Sequence, residues 1–149
     1  MKGILPEGKH VLTAQEFIKR TCTSTRRIDL YNNSLKPVCQ FLLSKDLYRI
    51  LVTGEYMEEI EDPRSIEILI PIVKDDFMYV FEDDETFDNF QAKQTKEYNC
   101  KPWYYIKEDE GMQQLYIGSF GRCSGCSDGE HERGFACVDT DDIVKGEAT

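Results

Sequence analysis

Apolar residues recur at helical spacing twice near the start of the chain, then alternate or run together over most of the rest. Thr13-Ala14-Gln15-Glu16 has the form of a capping box, with Leu12 and Phe17 placed as a hydrophobic staple, and predicts a short helix over Ala14–Thr21. Arg27-Ile28-Asp29-Leu30-Tyr31 alternates as a half-buried strand does, and Asn32-Asn33-Ser34 supplies a turn to stop it. Leu35, Val38, Cys39, Leu42 and Leu43 mark a second helix over 35–46, with Pro37 tolerated in its first turn.

After Leu47 the residue choice favours strands. Leu47 to Val52 and Glu55 to Ile60, around Thr53-Gly54, read as a hairpin. Ser65 to Val73 is the most apolar run and reads as a central strand, with Pro71 expected at an edge or a bulge. Phe77 to Phe81 reads as the next strand, followed by a short helix carrying Phe87 and Phe90. Lys101 to Lys107 and Met112 to Gly118, around Glu108-Asp109-Glu110-Gly111, read as a hairpin with a four-residue loop. Gly134 to Val138 is a last strand, and Asp139-Thr140-Asp141-Asp142 reads as a solvated tail. These elements predict one α+β domain over residues 1–149, with a mainly antiparallel sheet, two N-terminal helices and a Cys-rich C-terminal loop.

Composition adds little to that picture except through charge. Hydrophobic residues make up 40% of the chain and no apolar run approaches the ~20 residues of a membrane span, so no transmembrane helix and no membrane partner are expected. The first residues lack the apolar core of a secretory signal, which makes a cytoplasmic address the expectation. Net charge is −10, but residues 1–50 hold nine Lys/Arg against four Asp/Glu while residues 51–149 hold nine against twenty-four. So acidic a second part repels phosphate backbones and either suits a basic partner or simply keeps the protein in solution.

Candidate chemistry is concentrated near the end. Cys123, Cys126, His131 and Cys137 form C-x2-C-x4-H-x5-C, ligands suited to one tetrahedral zinc, with all four positions filled by protein and the ion therefore structural. The pattern resembles the CCHC zinc knuckle, from which it departs by one extra residue in the last spacer and by Ser124 where knuckles carry a stacking aromatic. Helix 35–46, the hairpin after it and the strand ending in Ile70-Pro71-Ile72 are also similar to one half of a GyrI-like effector-binding domain, a resemblance that implies small-molecule binding. No second half is found in residues 74–149.

Only His10 and His131 are available as imidazole bases, and there is no Gly-rich phosphate loop, so an enzyme is not expected. The leading expectation is a non-enzymatic inhibitor, immunity or adaptor protein that meets a protein with a basic surface. Its contacts would be Glu82, Asp83, Asp84, Glu85 and Asp88 together with Trp103 and Tyr105. The alternatives are a nucleic-acid-associated zinc protein, using Lys19, Arg20, Arg26 and Arg27, and a small-molecule effector-binding domain.

Overall fold

The structure, a computed structural model, describes residues 3–121 and 133–149. Five strands form one sheet in the order β1 (Gly8–Val11), β5 (Gly134–Asp139), β2 (Arg49–Thr53), β3 (Ile66–Ile72), β4 (Cys100–Ile106). The two central interfaces, β5–β2 and β2–β3, are antiparallel, and the outer pairs β1–β5 and β3–β4 are parallel. The expected α+β class holds.

Period-two alternation sorts the strand residues between two layers. Ile66, Ile68, Ile70 and Ile72 of β3, with Ile50, Val52, Ala136 and Val138, face the larger core. There they meet α1 (Ala14–Thr21), α2 (Thr25–Leu30), α3 (Lys36–Ser44), α4 (Lys74–Val80), α5 (Asp84–Tyr98) and α7 (Thr140–Lys145). Leu51, Leu69, Tyr105 and Phe135 point the other way and are covered by α6 (Glu110–Phe120). Among the described residues no helix is long and apolar enough to cross a membrane.

The capping box at Thr13 is present, with both of its hydrogen bonds at 3.1 Å, and α1 has the expected bounds. Elsewhere several expected strands are helices. Residues 27–30 belong to α2, and Tyr31 follows it, because the Ser24 hydroxyl accepts the Arg27 N–H and starts a helix there. A π-helical turn over Tyr31–Leu35 then joins α2 to α3, burying Tyr31, Ser34 and Leu35. The segment Glu55–Ile60 opens with a 3-10 turn over Glu55–Met57, so the hairpin expected after Leu47 is β2 followed by a long loop. Phe77 to Phe81 lies in and just after α4, where Phe77 and Phe81 pack four residues apart with centroids at 5.6 Å.

The expected second arm of the C-terminal hairpin is α6, started by Asp109, whose carboxylate accepts the Met112 N–H at 3.0 Å. Helix α5 is fifteen residues long, where a short helix is expected. The tail at Asp139–Asp142 is instead the start of α7, with Thr140 buried and its hydroxyl donating to Leu47 O. Asp142 accepts the Ala14 N–H at 2.6 Å and so ties α7 to α1. Helices therefore run through the whole chain and are not gathered in its first 50 residues.

Pro71 is paired on its β4 side, while on its β2 side pairing has already ended, so its nitrogen meets an open end of the ladder as expected. Ile66, Ile68, Ile70 and Ile72 are the β3 residues bonded to β4, which turns the Pro71 nitrogen toward β2, just past the last paired residue Leu69. The bonds to β4 are untouched.

The loop between β2 and β3 has little regular structure, and α2 supplies the donors that its inward carbonyls need. Arg27 is 1% exposed and donates to the carbonyls of Tyr56 (2.6 Å), Ile60 (2.8 Å) and Glu58, with its guanidinium 5.0 Å from the Tyr56 ring centroid. Arg26 reaches Pro63 O and Arg64 O, and the Ser24 hydroxyl reaches Glu61 O. At the same place the fully buried Glu58 carboxylate pairs with Arg133 at 2.8 Å. We predict that Arg27→Met lowers the free energy of unfolding by about 3 kcal/mol or more, because it leaves buried carbonyls without donors. Arg26→Met changes it by about 1 kcal/mol or less. Urea unfolding followed by tryptophan fluorescence checks both, and equal midpoints for the two variants would contradict this account.

Candidate docking cleft

Strands β3 and β4 run parallel, so both deliver the chain to the same end of the sheet. There β3 leads into α4 and β4 leads, through Lys107–Asp109, into α6. A tight turn at Phe81–Asp83, with Glu82 in the left-handed region at φ 69°, brings α5 back beside them. Between these elements lies an open cleft of about 870 Å³. Phe77, Tyr104 and Ile106 form its apolar wall, Glu82, Asp83 and Asp84 lie on one side and Glu108, Asp109 and Glu110 on the other. Lys74 is the single cation among the lining residues.

Local folding accounts for about half of this negative charge. Asp83 and Asp109 are the N-caps of α5 and α6, and hydrogen bonding to the Thr86 N–H holds the Asp83 carboxyl below its ordinary pKa. Glu108 caps from a distance, accepting the Lys74 N–H at 3.0 Å where α4 has no cap of its own. Asp84 accepts the Tyr104 hydroxyl. The side chains of Glu82 and Glu110 make no hydrogen bond with the other described residues. Those two are the carboxylates left for a ligand.

An aromatic cluster stiffens the wall. Tyr104 packs on Phe77 and Phe87 with centroids at 4.4 and 4.6 Å, and Phe81 packs on Phe87 and Phe90 at 5.0 and 5.1 Å. Beside the cleft, Met78 is 55% and Tyr79 81% exposed, an apolar shoulder on α4 with no cover.

The sequence-derived contact residues divide. Glu82, Asp83 and Asp84 line the cleft, and Glu85 is exposed on α5 nearby. Asp88 and Trp103 border a second groove of about 310 Å³, which shares Asp84 and Tyr104 with the cleft. Trp103 is half-buried, its indole N–H on Glu67 at 3.0 Å and the Lys101 ammonium 4.6 Å from its ring centroid. Tyr105 is 3% exposed beneath α6 and cannot serve as an anchor, which corrects its assignment as a contact. Lys74, Tyr104 and Glu108 to Glu110 were not legible as site residues, since only the pairing of β3 with β4 brings residue 74 to residue 108. Met78 and Tyr79 carried a signal, because the i, i+4 spacing of Phe77 and Phe81 implies a helix whose other side is open.

Of the proposed zinc ligands, Cys123, Cys126 and His131 lie outside the described residues. Cys137 is on β5, half-buried against the apolar cluster under α6. Among the described residues no group of three or more potential ligands comes together. The basic flank proposed for nucleic acid is also depleted, with Arg27 buried and Arg26 engaged by loop carbonyls.

The contact between Tyr104 and Asp84 is open to a direct check. Burial first, and then the Asp84 carboxylate, push the Tyr104 phenol up from its ordinary pKa of 10.0. We predict that Asp84→Asn moves the Tyr104 titration to lower pH while leaving it above that of a free tyrosine. Carbon-13 NMR of the tyrosine ring carbons reads this, and an unmoved Tyr104 would show that the two side chains do not interact.

No match was found among curated proteins or among solved structures. A family model does match residues 1–139, nearly the whole chain, and on that evidence the chain belongs to the family of unknown function DUF6932.

Proposed function

We propose that this is a binding protein of the inhibitor, immunity or adaptor kind, which receives a basic macromolecular partner at the α4–α5–α6 cleft. The observation that carries the reading is the pair Glu82 and Glu110, on opposite sides of an aromatic wall, with no side-chain partner among the described residues and one lysine among the lining residues. Glu110 sits in the first turn of α6, where it complements the helix dipole, but neither carboxylate is tied down by a hydrogen bond among the described residues. The exposed Met78 and Tyr79 supply apolar area beside the charge, as an interface core has a polar rim around it. Four of the six carboxylates, Asp83, Asp84, Glu108 and Asp109, already accept hydrogen bonds within the fold, which favours a binding over a catalytic role for the cleft.

The test uses the double variant Glu82→Lys, Glu110→Lys. Neither residue is a cap, and a lysine in the first turn of α6 costs about 1 kcal/mol or less against the helix dipole, which a circular dichroism melt of the variant checks. A partner captured by wild-type protein, identified and purified, is expected to have a basic surface and to bind with a Kd that rises steeply with salt. The double variant is expected to bind it at least tenfold more weakly in isothermal titration calorimetry. A partner held equally by both proteins, at low and at high salt, would remove the cleft from the function.

A further inference from the structure

The cleft and the smaller groove open onto one strand edge. β4 is the outer strand of the sheet, and its orientation is fixed by bonds at both ends, Ile66 N–H to Asn99 O at 3.2 Å and Lys107 N–H to Ile72 O at 2.8 Å. In a parallel ladder alternate residues face the partner strand, so Lys101, Trp103 and Tyr105 bond to β3 while Pro102, Tyr104 and Ile106 turn their backbone groups outward. Part of this edge is closed. Pro102 has no N–H, its carbonyl accepts from Gln91 Nε2 at 2.6 Å, and the Ile106 carbonyl accepts from Asp109 N–H at 3.0 Å. The N–H and C=O of Tyr104 and the N–H of Ile106 are left, with no bond from another element of the described residues.

We infer that an extended segment of the partner, with cationic side chains at alternate positions, adds to β4 as a short sixth strand paired with the main chain of Tyr104. This rests on the reading of the cleft as the site of a basic partner. In an added strand, successive side chains alternate between the two faces of the sheet. Every second one then points to the side on which Tyr104 meets Asp84, where Glu82 and Asp88 also lie. Those positions suit lysine or arginine. The intervening side chains fall toward Trp103 and Tyr116, which suits apolar residues. An acidic segment would meet the same carboxylates and be repelled.

Proline tests this without disturbing the ladder. Tyr104 has the same orientation as Pro102, so a proline at 104 removes an outward N–H and leaves the bonds to β3 in place. The probe is the peptide acetyl-Lys-Val-Lys-Val-Lys-Thr-amide, with glutamate in place of lysine as control, titrated into the full chain by nitrogen-15 NMR. At saturation the lysine peptide is expected to slow amide exchange at Tyr104 and Ile106 by at least tenfold, and the glutamate peptide to do nothing. Tyr104→Pro is expected to bind the lysine peptide at least fivefold more weakly than Tyr104→Ala, which lacks the same ring but keeps the N–H. Equal binding by the two variants, or unchanged exchange at both amides in wild-type protein, would overturn the added strand and leave charge alone as the attraction. The reading of a basic partner would survive that result. Absence of binding up to millimolar peptide also overturns the inference, whereas failure of the broader reading is seen separately, in a partner indifferent to the lysines at 82 and 110. Should the proline variant fail to fold, the wild-type exchange rates decide the matter.

Discussion

The buried guanidinium of Arg27 is the interaction on which the central sheet depends. A connection as long and irregular as that between β2 and β3 would leave carbonyls turned inward with nothing to bind, a penalty of about 1–3 kcal/mol for each. Arg27 satisfies three of them from one side chain, and Tyr56 covers its flat face. Planarity and a fixed fork of donors suit arginine to this place, where a lysine could not reach the same set. Nearby, Glu58 and Arg133 form a buried pair that joins the loop to the start of β5. Two charges are tolerated in the interior there because each is neutralised at 2.8 Å.

With the loop pinned, β3 is held between β2 and β4, and the parallel β3–β4 pair can deliver two helix starts to one place. Helix starts attract acidic residues for reasons of their own, which is why a high local density of carboxylates is weak evidence for a site. What distinguishes this cleft is the division of labour within it. Asp83, Glu108 and Asp109 stabilise backbone N–H groups, Asp84 holds Tyr104, and Glu82 and Glu110 do neither. That sorting is what the proposal of a basic partner rests on.

Much of this was legible in the sequence where the signal was local. The capping box at Thr13, the apolar run of β3 and the strand around Trp103 are set by residues close to one another along the chain. Helices α4 and α6 were missed because their β-favouring side chains compete with weak N-terminal signals, and one of those signals, Glu108 on Lys74 N–H, comes from 34 residues away. Residues 27–31 alternate in polarity, but so short a stretch fits a helix as well once Ser24 caps it and Leu30 and Tyr31 both find the core. The acidic run at 82–85 is visible along the chain, and three of its residues line the cleft; its counterpart at 108–110 was hidden in what reads as a hairpin loop.

The two prolines in the sheet have a consequence for strand alignment. Pro71 points its nitrogen past the end of the β2 ladder and Pro102 points its own to the open edge, so in the observed alignment neither interrupts the β3–β4 ladder. Sliding β4 by one residue would turn it over, set the Pro102 nitrogen against β3, and carry Trp103 and Tyr105 to the opposite layer. The mispaired sheet would lose a bond and a core at once. A strand that lies at the margin of the fold is thus held to a single alignment by an amino acid that usually interrupts strands.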